Sequence, residues 1–217
     1  MNTIRQLIGV CLLVAASSLS LNAFAGVSQS ITGNVVSVHA GSNDTVNLAP
    51  SAVVSSLNAF DQATVNVAGS TVSWSYLYDQ SVLNVTGDAA MSWLLLYDSS
   101  TANIDDGRVS WLKLYQSSRA NLRSVDSLSW LLLNDQSQVH IYGKNFQYGG
   151  GHLSGSWANG IDFSFWALNE RELANQSSNR SLMPAGIRLH VVPEPIALSL
   201  VAAAGPLAWM RRRRLSP

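Results

Sequence analysis

Seven aromatic side chains recur along the middle of this chain at a spacing that could build a ligand-binding surface. Four tryptophans follow one another at intervals of 19, 18 and 19 in the sequence, and each of the first three is followed four positions later by a tyrosine. Aromatic rings offer flat apolar faces on which other rings, including those of sugars, can stack. The candidate ligand face consists of Trp74, Trp93, Trp111, Trp130, Tyr78, Tyr97 and Tyr115.

Side chains that could support catalysis are few. Hydrolysis of a glycosidic bond needs two carboxyl groups at a set separation, but the acidic pairs Asp105-Asp106 and Glu170-Arg171-Glu172 are close in sequence on expected turns. Solvated surface charge is the simpler interpretation. The histidines show neither metal-ligand spacing nor a nucleophile motif: His39, His140, His152 and His190. We expect no catalytic residue, no metal and no cofactor, and a polysaccharide lyase or hydrolase is the least favoured alternative.

Another set of residues occupies matching positions of the expected turns: Asp61, Asp79, Asp98, Gln116 and Asp135. Stacked carboxylates could bind Ca²⁺, which prefers several oxygen ligands. Gln116 interrupts the acidic series, and Asp is a common turn residue because its side chain hydrogen-bonds nearby backbone groups. Turn capping is the favoured interpretation.

These side chains belong to an internal repeat whose period alternates between 18 and 19. Each of the four tryptophans follows a serine, in segments 72–79, 91–98, 109–116 and 128–135. A second series keeps the same rhythm over six positions: Asn47, Asn66, Asn84, Asn103, Asn121 and His140. The array extends from about Val35 to Tyr142, which predicts units that each pack on the next.

The repeat unit has the composition of strands. A period near 18 also fits five turns of an α-helix, but the repeats are rich in Ser, Thr, Asn and Val, which disfavour helix interiors. Apolar and polar residues alternate, as in Val65-Asn66-Val67, which indicates strands with one buried face. We predict an all-β fold, a single-stranded parallel β-helix (solenoid) of about six coils, one for each repeat. A C-terminal β cap and a C-terminal transmembrane sorting helix are expected to follow it.

The alternation also predicts which residues of each strand face the core and which face the solvent. Two nearly pure aliphatic columns are expected to point inward: Leu57, Ser75, Leu94, Leu112 and Leu131, with Ala59, Leu77, Leu96, Leu114 and Leu133. The opposite parity carries the tryptophans together with Asn58, Lys113 and Asn134, so it is expected to point outward. A corner must intervene if the apolar residues that share the Trp parity are buried too: Val72, Met91, Val109 and Leu128.

An outward aromatic face of this length would exceed the apolar patches that soluble monomers usually expose. The segment after the repeats could fold back over it, or two copies could pack face to face. Alternatively, the face could be a platform on which the sugar rings of a polysaccharide stack. An inverted parity, with the tryptophans in the core, is the remaining alternative.

The repeat stops after Tyr142, and segment 143–191 is expected to form the cap. Segments 153–157 and 161–166, around Asn159-Gly160, indicate two strands joined by a tight turn. Segment 186–191 indicates a last strand. We therefore divide the chain into a signal peptide (1–25), solenoid repeats (26–142), a cap (143–191) and a sorting signal (192–217).

The N-terminal segment 1–25 has the features of a secretory signal peptide. Arg5 precedes the apolar run 7–16, and Ala23 and Ala25 give the small-x-small pattern of a cleavage site before Gly26. An uncleaved anchor is disfavoured, because this run is shorter than the ~20 residues needed to span a bilayer.

The C-terminal segment 192–217 combines three features in a fixed order. Pro193, Glu194 and Pro195 precede the apolar segment 196–210. Four basic side chains follow that segment: Arg211, Arg212, Arg213 and Arg214. A plain tail anchor would explain the apolar segment and the arginines but not the Pro-Glu-Pro.

This ending resembles the PEP-CTERM sorting signal, which in Gram-negative bacteria is processed by exosortase, a membrane protease-transpeptidase. The resemblance implies an inner-membrane-anchored intermediate with its arginines on the cytoplasmic side. It also implies cleavage near Pro-Glu-Pro and transfer to the cell surface or extracellular matrix.

Composition agrees with such a surface protein. Charged residues make up 12% of the chain, about half of the ~25% usual in globular proteins. The basic and acidic side chains, 13 of each, leave no basic patch of the size that nucleic acid requires. We predict a structural or adhesive protein of the extracellular matrix or biofilm, associated with exopolysaccharide, and a carbohydrate-binding module that uses the outer aromatic ladder is the alternative. The expected partners are exosortase, transiently the inner membrane, and either exopolysaccharide or a second copy of the chain.

Overall fold

Two ladders of parallel strands build the protein. The computed structural model describes residues 20–22, 26, 28–170 and 182–193. The first ladder, here called the tryptophan sheet, contains β1 (Ser20–Asn22), β3 (Asn34–Ala40), β5 (Val53–Ala59), β7 (Thr71–Leu77), β9 (Ala90–Leu96), β11 (Arg108–Leu114), β13 (Ser127–Leu133) and β16 (Asp162–Asn169). The second, the asparagine sheet, contains β2 (Ser28–Ile31), β4 (Thr45–Leu48), β6 (Thr64–Ala68), β8 (Val82–Thr86), β10 (Thr101–Asp105), β12 (Arg119–Ser124), β14 (Gln138–Gly149) and β17 (Ile187–Val191).

Each strand pairs in parallel with the next member of its own ladder. The chain therefore alternates between the two sheets and winds through about six coils of a β-solenoid. The all-β fold and the repeat predicted from the sequence are confirmed. Pairing also reaches further toward the N-terminus than the asparagine series, because Ser30 of β2 aligns with Asn47 of β4.

Within the described residues, one antiparallel strand, β15 (His152–Trp157), links the two ladders. It pairs with the later part of β14 and with the first half of β16, whereas the other parts of both strands continue the parallel ladders. The predicted turn between β15 and β16 is present, since Gly160 donates its N–H to the Trp157 carbonyl at 3.0 Å. Strand β17 adds in parallel to β14, so the last predicted strand is a further rung of the asparagine sheet.

The aliphatic columns form the core, which confirms the predicted alternation. Leu57, Leu77, Leu96 and Leu112 are completely buried, whereas the tryptophans of the repeats lie on the outer face of their sheet. The alternative of an inverted parity is therefore wrong. Ser75 occupies a leucine position of an inward column, and its buried hydroxyl has no hydrogen-bond partner in the described part of the chain.

Each of the four strands that carry a tryptophan of the repeats bends just before that residue. In β9, Met91 is buried, Ser92 and Trp93 both face outward, and Leu94 is buried again. The same shift of alternation by one position occurs in β7, β11 and β13. Two successive outward residues turn the strand, and this is the corner that the sequence required.

The outer face is covered at the C-terminal end of the tryptophan sheet. Leu132 has outward parity, as predicted, yet it is only 1% exposed. It aligns with Leu168 of β16, and a side chain added at Gly151 would lie 2.7 Å from Leu168 Cδ2. The turn between β14 and β15 therefore packs against this end of the outer face.

Candidate functional site

Five indole rings stack along the outer face of the tryptophan sheet. The ring centroids of Trp74, Trp93, Trp111, Trp130 and Trp166 follow one another at 5.0, 4.8, 5.1 and 5.3 Å, with interplanar angles of 6–12°. These five residues are called the tryptophan ladder. Sequence reasoning missed Trp166, although it follows Trp130 by twice the repeat period, and this spacing could have identified it.

A second aromatic stack, the tyrosine ladder, lies on the same face. Phe60, Tyr78, Tyr97 and Tyr115 have centroid separations of 5.2, 5.0 and 4.9 Å, with interplanar angles of 5–9°. Burial raises the pKa of Tyr78 and Tyr97 above the usual value for a phenol. Burial, together with the nearby Glu170 carboxylate, raises the pKa of Tyr115 to about 12, so these phenols are neutral near pH 7.

A carboxylate that directly follows β16 connects the two ladders. Glu170 accepts hydrogen bonds from Lys113 Nζ at 3.2 Å and from Asn134 Nδ2 at 2.7 Å. Burial by itself would raise the pKa of Glu170, but these hydrogen bonds and the lysine charge hold it below its usual value. Lys113 also lies 5.8 Å from the centroid of the Trp93 ring, and Glu170 forms a side-chain hydrogen bond with Tyr115. The ion pair between Lys113 and Glu170 therefore links both stacks to the end of β16.

The stacking decides which ring surfaces a ligand can reach. Neighbouring rings lie nearly parallel at about one strand spacing, so each interior ring has both of its faces against other rings and presents its edge to solvent. The interior of the ladder therefore does not offer the open platform for sugar rings that the sequence suggested. Free ring faces can occur only at the two ends of each stack.

The asparagine series forms a continuous amide ladder on the other sheet. Nδ2 of Asn66, Asn84, Asn103 and Asn121 each donates to Oδ1 of the asparagine one coil before it, at 2.8, 2.8, 2.9 and 2.8 Å, the first acceptor being Asn47. We call this row of side-chain hydrogen bonds the asparagine ladder. Every amide points in the same direction along the solenoid.

The aspartates of the turns also join successive coils. Asp79 Oδ2 accepts from the Asp61 backbone N–H at 3.1 Å, and Asp98 Oδ2 accepts from that of Asp79 at 3.2 Å. Asp61, Asp79, Asp98, Gln116 and Asp135 have φ values of 53–56°, a left-handed conformation that Asp and Asn tolerate better than most residues. These contacts support the turn-capping interpretation. The described residues hold no group of three or more His, Cys, Asp or Glu side chains that could bind a metal.

A histidine pair ends the asparagine ladder. His140 Nδ1 and His190 Nε2 are 2.9 Å apart, and the ring of Tyr142 stacks on His190 with a centroid distance of 4.5 Å. Burial, the neighbouring His190 and the positive charges of Arg119 and Arg188 lower the pKa of His140. The environment of His140 therefore favours its neutral imidazole.

The described acidic residues of the two candidate catalytic pairs each contact a polar or charged group of the protein. Asp105 is exposed and lies 4.0 Å from Arg123, and Asp106 Oδ1 accepts from the Gly107 backbone N–H at 2.9 Å. Glu170 is held by Lys113 and Asn134 as described, and Glu172 lies outside the described residues.

The predicted cleavage and sorting residues lie at the limits of the described chain. Gly26 and Pro193 are exposed. The remaining ones lie outside the described residues: Ala23, Ala25, Glu194, Pro195, Arg211, Arg212, Arg213 and Arg214. In the described residues there is no helix with the length and apolarity needed to cross a bilayer, and the predicted sorting helix, 196–210, lies beyond them.

The structure thus brings the seven predicted face residues together as two adjacent stacks, which Phe60 and Trp166 extend. The stacks position rings chiefly against one another. No protein-family model, curated protein or solved structure matches this chain.

Proposed function

We propose that this chain is an exported, exosortase-processed protein of the cell surface or extracellular matrix. Its solenoid acts there as a stiff structural or adhesive element associated with exopolysaccharide. One observation carries the proposal: the outward columns connect each coil to the next through ring stacks, amide hydrogen bonds and carboxylate-to-backbone hydrogen bonds. Because these contacts all run along the solenoid, they oppose its bending and stretching.

The end of the solenoid supports the inferred cap. The indole N–H of Trp157, a residue only 1% exposed, donates to the Val125 carbonyl at 2.9 Å. Leu153, Phe163 and Phe165 join the same hydrophobic cluster as the inward columns. We infer that the meander of β14, β15 and β16 closes the C-terminal end of the core, as a solenoid requires.

The exit of the chain from the solenoid supports processing at Pro-Glu-Pro. Val192 is still tied down, since its backbone N–H donates to the Gly143 carbonyl at 3.0 Å, but Val191 is 75% exposed and Pro193 is exposed. The motif therefore begins at an exposed residue, directly after the last residue that a hydrogen bond to Gly143 holds. In the proposal, segment 196–210 holds the precursor in the inner membrane until exosortase cuts near this point.

The sorting proposal can be tested in the native host by replacing Pro193, Glu194 and Pro195 together with alanine. The wild-type protein should be recovered from the surface or matrix fraction with a shortened C-terminus, as measured by mass spectrometry. The triple variant should remain in the inner-membrane fraction at full length, and deletion of the exosortase should have the same effect.

A matched control is Arg188→Ala, which changes an exposed residue of β17 outside the motif and should leave sorting intact. Normal surface delivery of the triple variant would contradict the proposal. So would a wild-type surface protein that retains segment 196–217.

A further inference from the structure

The two ends of the tryptophan ladder differ. At the C-terminal end the His152 ring lies against Trp166, with a centroid distance of 3.6 Å. At the other end Trp74 is 42% exposed, with the Trp93 ring behind it and the Tyr76 ring beside it. The coil before it places Ser56 in register with Trp74, and a serine is too short to cover an indole. Within the described residues, one face of Trp74 is thus uncovered by any ring.

Tyr76 widens this free face. Its ring centroid is 6.4 Å from that of Trp74 and the two planes differ by 7°. That separation is close to the ~6.6 Å between alternate residues of a strand, so the two rings are neighbours along β7 with nearly parallel planes. Trp93 stacks behind Trp74 at 5.0 Å and fixes that plane.

Short polar side chains form a floor in front of these two rings. Asn58 aligns with Tyr76, and its Nδ2 donates to Ser56 Oγ at 3.2 Å. One coil further, Ser37 Oγ lies 3.3 Å from His39 Nδ1. We call this wall and floor the Trp74 step, which consists of Trp74, Tyr76, Ser37, His39, Ser56 and Asn58.

We propose that the Trp74 step binds a sugar residue of a neutral polysaccharide. The apolar C–H face of the sugar stacks on the indole and phenol rings, whose faces carry negative π density. The sugar hydroxyls exchange hydrogen bonds with Asn58, Ser56 and His39, and such placed polar groups fix a ligand's orientation. No side chain of the step carries a fixed charge, which favours a neutral ligand over an acidic one.

The floor argues against a purely apolar occupant. An apolar partner would bury the Asn58 amide and the Ser37 hydroxyl while offering them no new hydrogen bonds, and this costs free energy. A sugar presents both donors and acceptors beside an apolar face. The inference takes from the proposed function only the choice of a polysaccharide as ligand, and it does not depend on how the protein is exported.

The ladder supplies a matched pair of variants for the test. Trp74→Ala removes the ring that faces the polar floor and leaves the free ring face on Trp93, one coil further from that floor. Trp111→Ala removes an equivalent tryptophan whose two faces are both covered. The full chain, purified in mild detergent, is run on native gels that contain hydroxyethyl cellulose, galactomannan or dextran, with polygalacturonate as the acidic comparison. Circular dichroism confirms that each variant is folded.

We expect retardation of the wild-type protein by at least one neutral polymer, and a loss of about tenfold in affinity for Trp74→Ala. Trp111→Ala should bind within about twofold of wild type, and Trp74→Phe, which keeps a ring, should bind better than Trp74→Ala. No retardation by any neutral polymer would overturn the proposal. Equal losses in Trp74→Ala and Trp111→Ala, or binding to polygalacturonate alone, would overturn it too.

The two proposals can fail separately. A protein that binds on gels but is not sorted contradicts only the proposed processing, because binding is measured outside the cell. A protein that is sorted but does not bind contradicts only the Trp74 step. If the step instead mediates self-association, the wild-type protein should show a concentration-dependent mass in the absence of any polymer, and Trp74→Ala should remain monomeric. This result would also overturn the sugar site.

Discussion

The inward and outward columns of the solenoid lie on the same strands at the same spacing, but they tolerate different side chains. Along one inward column of the asparagine sheet the residues vary among aliphatic types: Leu48, Val67, Val85, Ile104, Leu122 and Ile141. The outward column beside it is asparagine five times in succession, from Asn47 to Asn121. A buried methyl group needs only apolar neighbours, whereas an amide needs a partner with the matching donor and acceptor.

This difference predicts how a substitution in each kind of column affects the stability of the fold. A polar group introduced at an inward position should destabilise the whole fold, because the core excludes water. An outward position should lose only the bonds to the coil above and the coil below. The cost of an outward substitution should therefore be local and moderate, even where a large ring is removed.

The largest expected effect sets the two kinds of column directly against each other. The double variant Leu96→Asp and Leu114→Asp should not fold, because each buried carboxylate costs several kcal/mol and a domain has only about 5–15 kcal/mol of stability. The double variant Trp93→Ser and Trp111→Ser should remain folded, since each lost aromatic pair is worth about 0.5–1.5 kcal/mol beyond its buried area. Far-ultraviolet circular dichroism separates the outcomes, and the reverse result would show that the outer stacks hold the fold.

A smaller effect is expected from one amide of the asparagine ladder. Asn103→Ala removes one hydrogen bond to Asn84 and one from Asn121, and it should lower the free energy of unfolding by about 1–2 kcal/mol. Thr101→Ala, on the same strand and face but outside the ladder, should stay within about 0.5 kcal/mol of wild type. Chemical denaturation measures the free energy of unfolding of both variants. Equal losses would show that the hydrogen bonds of the asparagine ladder contribute no additional stability.

One inward position should improve on substitution. Ser75→Ala removes a buried hydroxyl that has no hydrogen-bond partner in the described residues, so it should raise the free energy of unfolding by about 1 kcal/mol. Ser100 provides the control, because its buried hydroxyl donates to the Tyr97 carbonyl at 2.7 Å. Ser100→Ala should lower stability in the same denaturation experiment. A destabilised Ser75→Ala variant would show that this hydroxyl contributes to the fold.

The smallest effect concerns pH at the end of the asparagine ladder. The folded protein lowers the pKa of His140 from its ordinary value of 6.5, so the unfolded chain takes up the proton more readily. The resulting stability is present above about pH 6.5 and is lost as the pH falls below that value. His140→Asn, which continues the ladder, should flatten the dependence of the melting temperature on pH between about 6.5 and 5. An unchanged profile would contradict the role of His140.

The sequence predicted the repeat, the two faces and the corner because two periods constrain the same residues. The alternation of apolar and polar residues determines whether a residue faces the core or the solvent. The longer repeat period requires that equivalent residues of every coil face the same way. Met91 and Trp93 share one parity, so burial of Met91 could be reconciled with an outward Trp93 only by a bend.

The end of the tryptophan ladder was harder to predict. Trp166 reaches it only because β15 inserts between β14 and β16, and local patterns do not reveal which ladder a strand joins after such an insertion. The nearly parallel arrangement of the Trp74 and Tyr76 rings depends on side-chain rotamers, which residue type alone does not determine. The signal peptide and the sorting signal stay predictions, since most of their residues lie outside the described chain.

The common direction of the asparagine amides has an electrical consequence. Each Nδ2–H points toward the N-terminal coil and each Oδ1 toward the C-terminal coil, so the small dipoles of these side chains add, as peptide dipoles do in a helix. The negative end of this summed dipole lies at Asn121. The cationic side chains Arg119 and Arg123 flank that residue on β12, and Arg188 lies two strands away on β17. The row of neutral amides thus forms a dipole along the solenoid, and the arginines lie at its negative end, where a positive charge is stabilised.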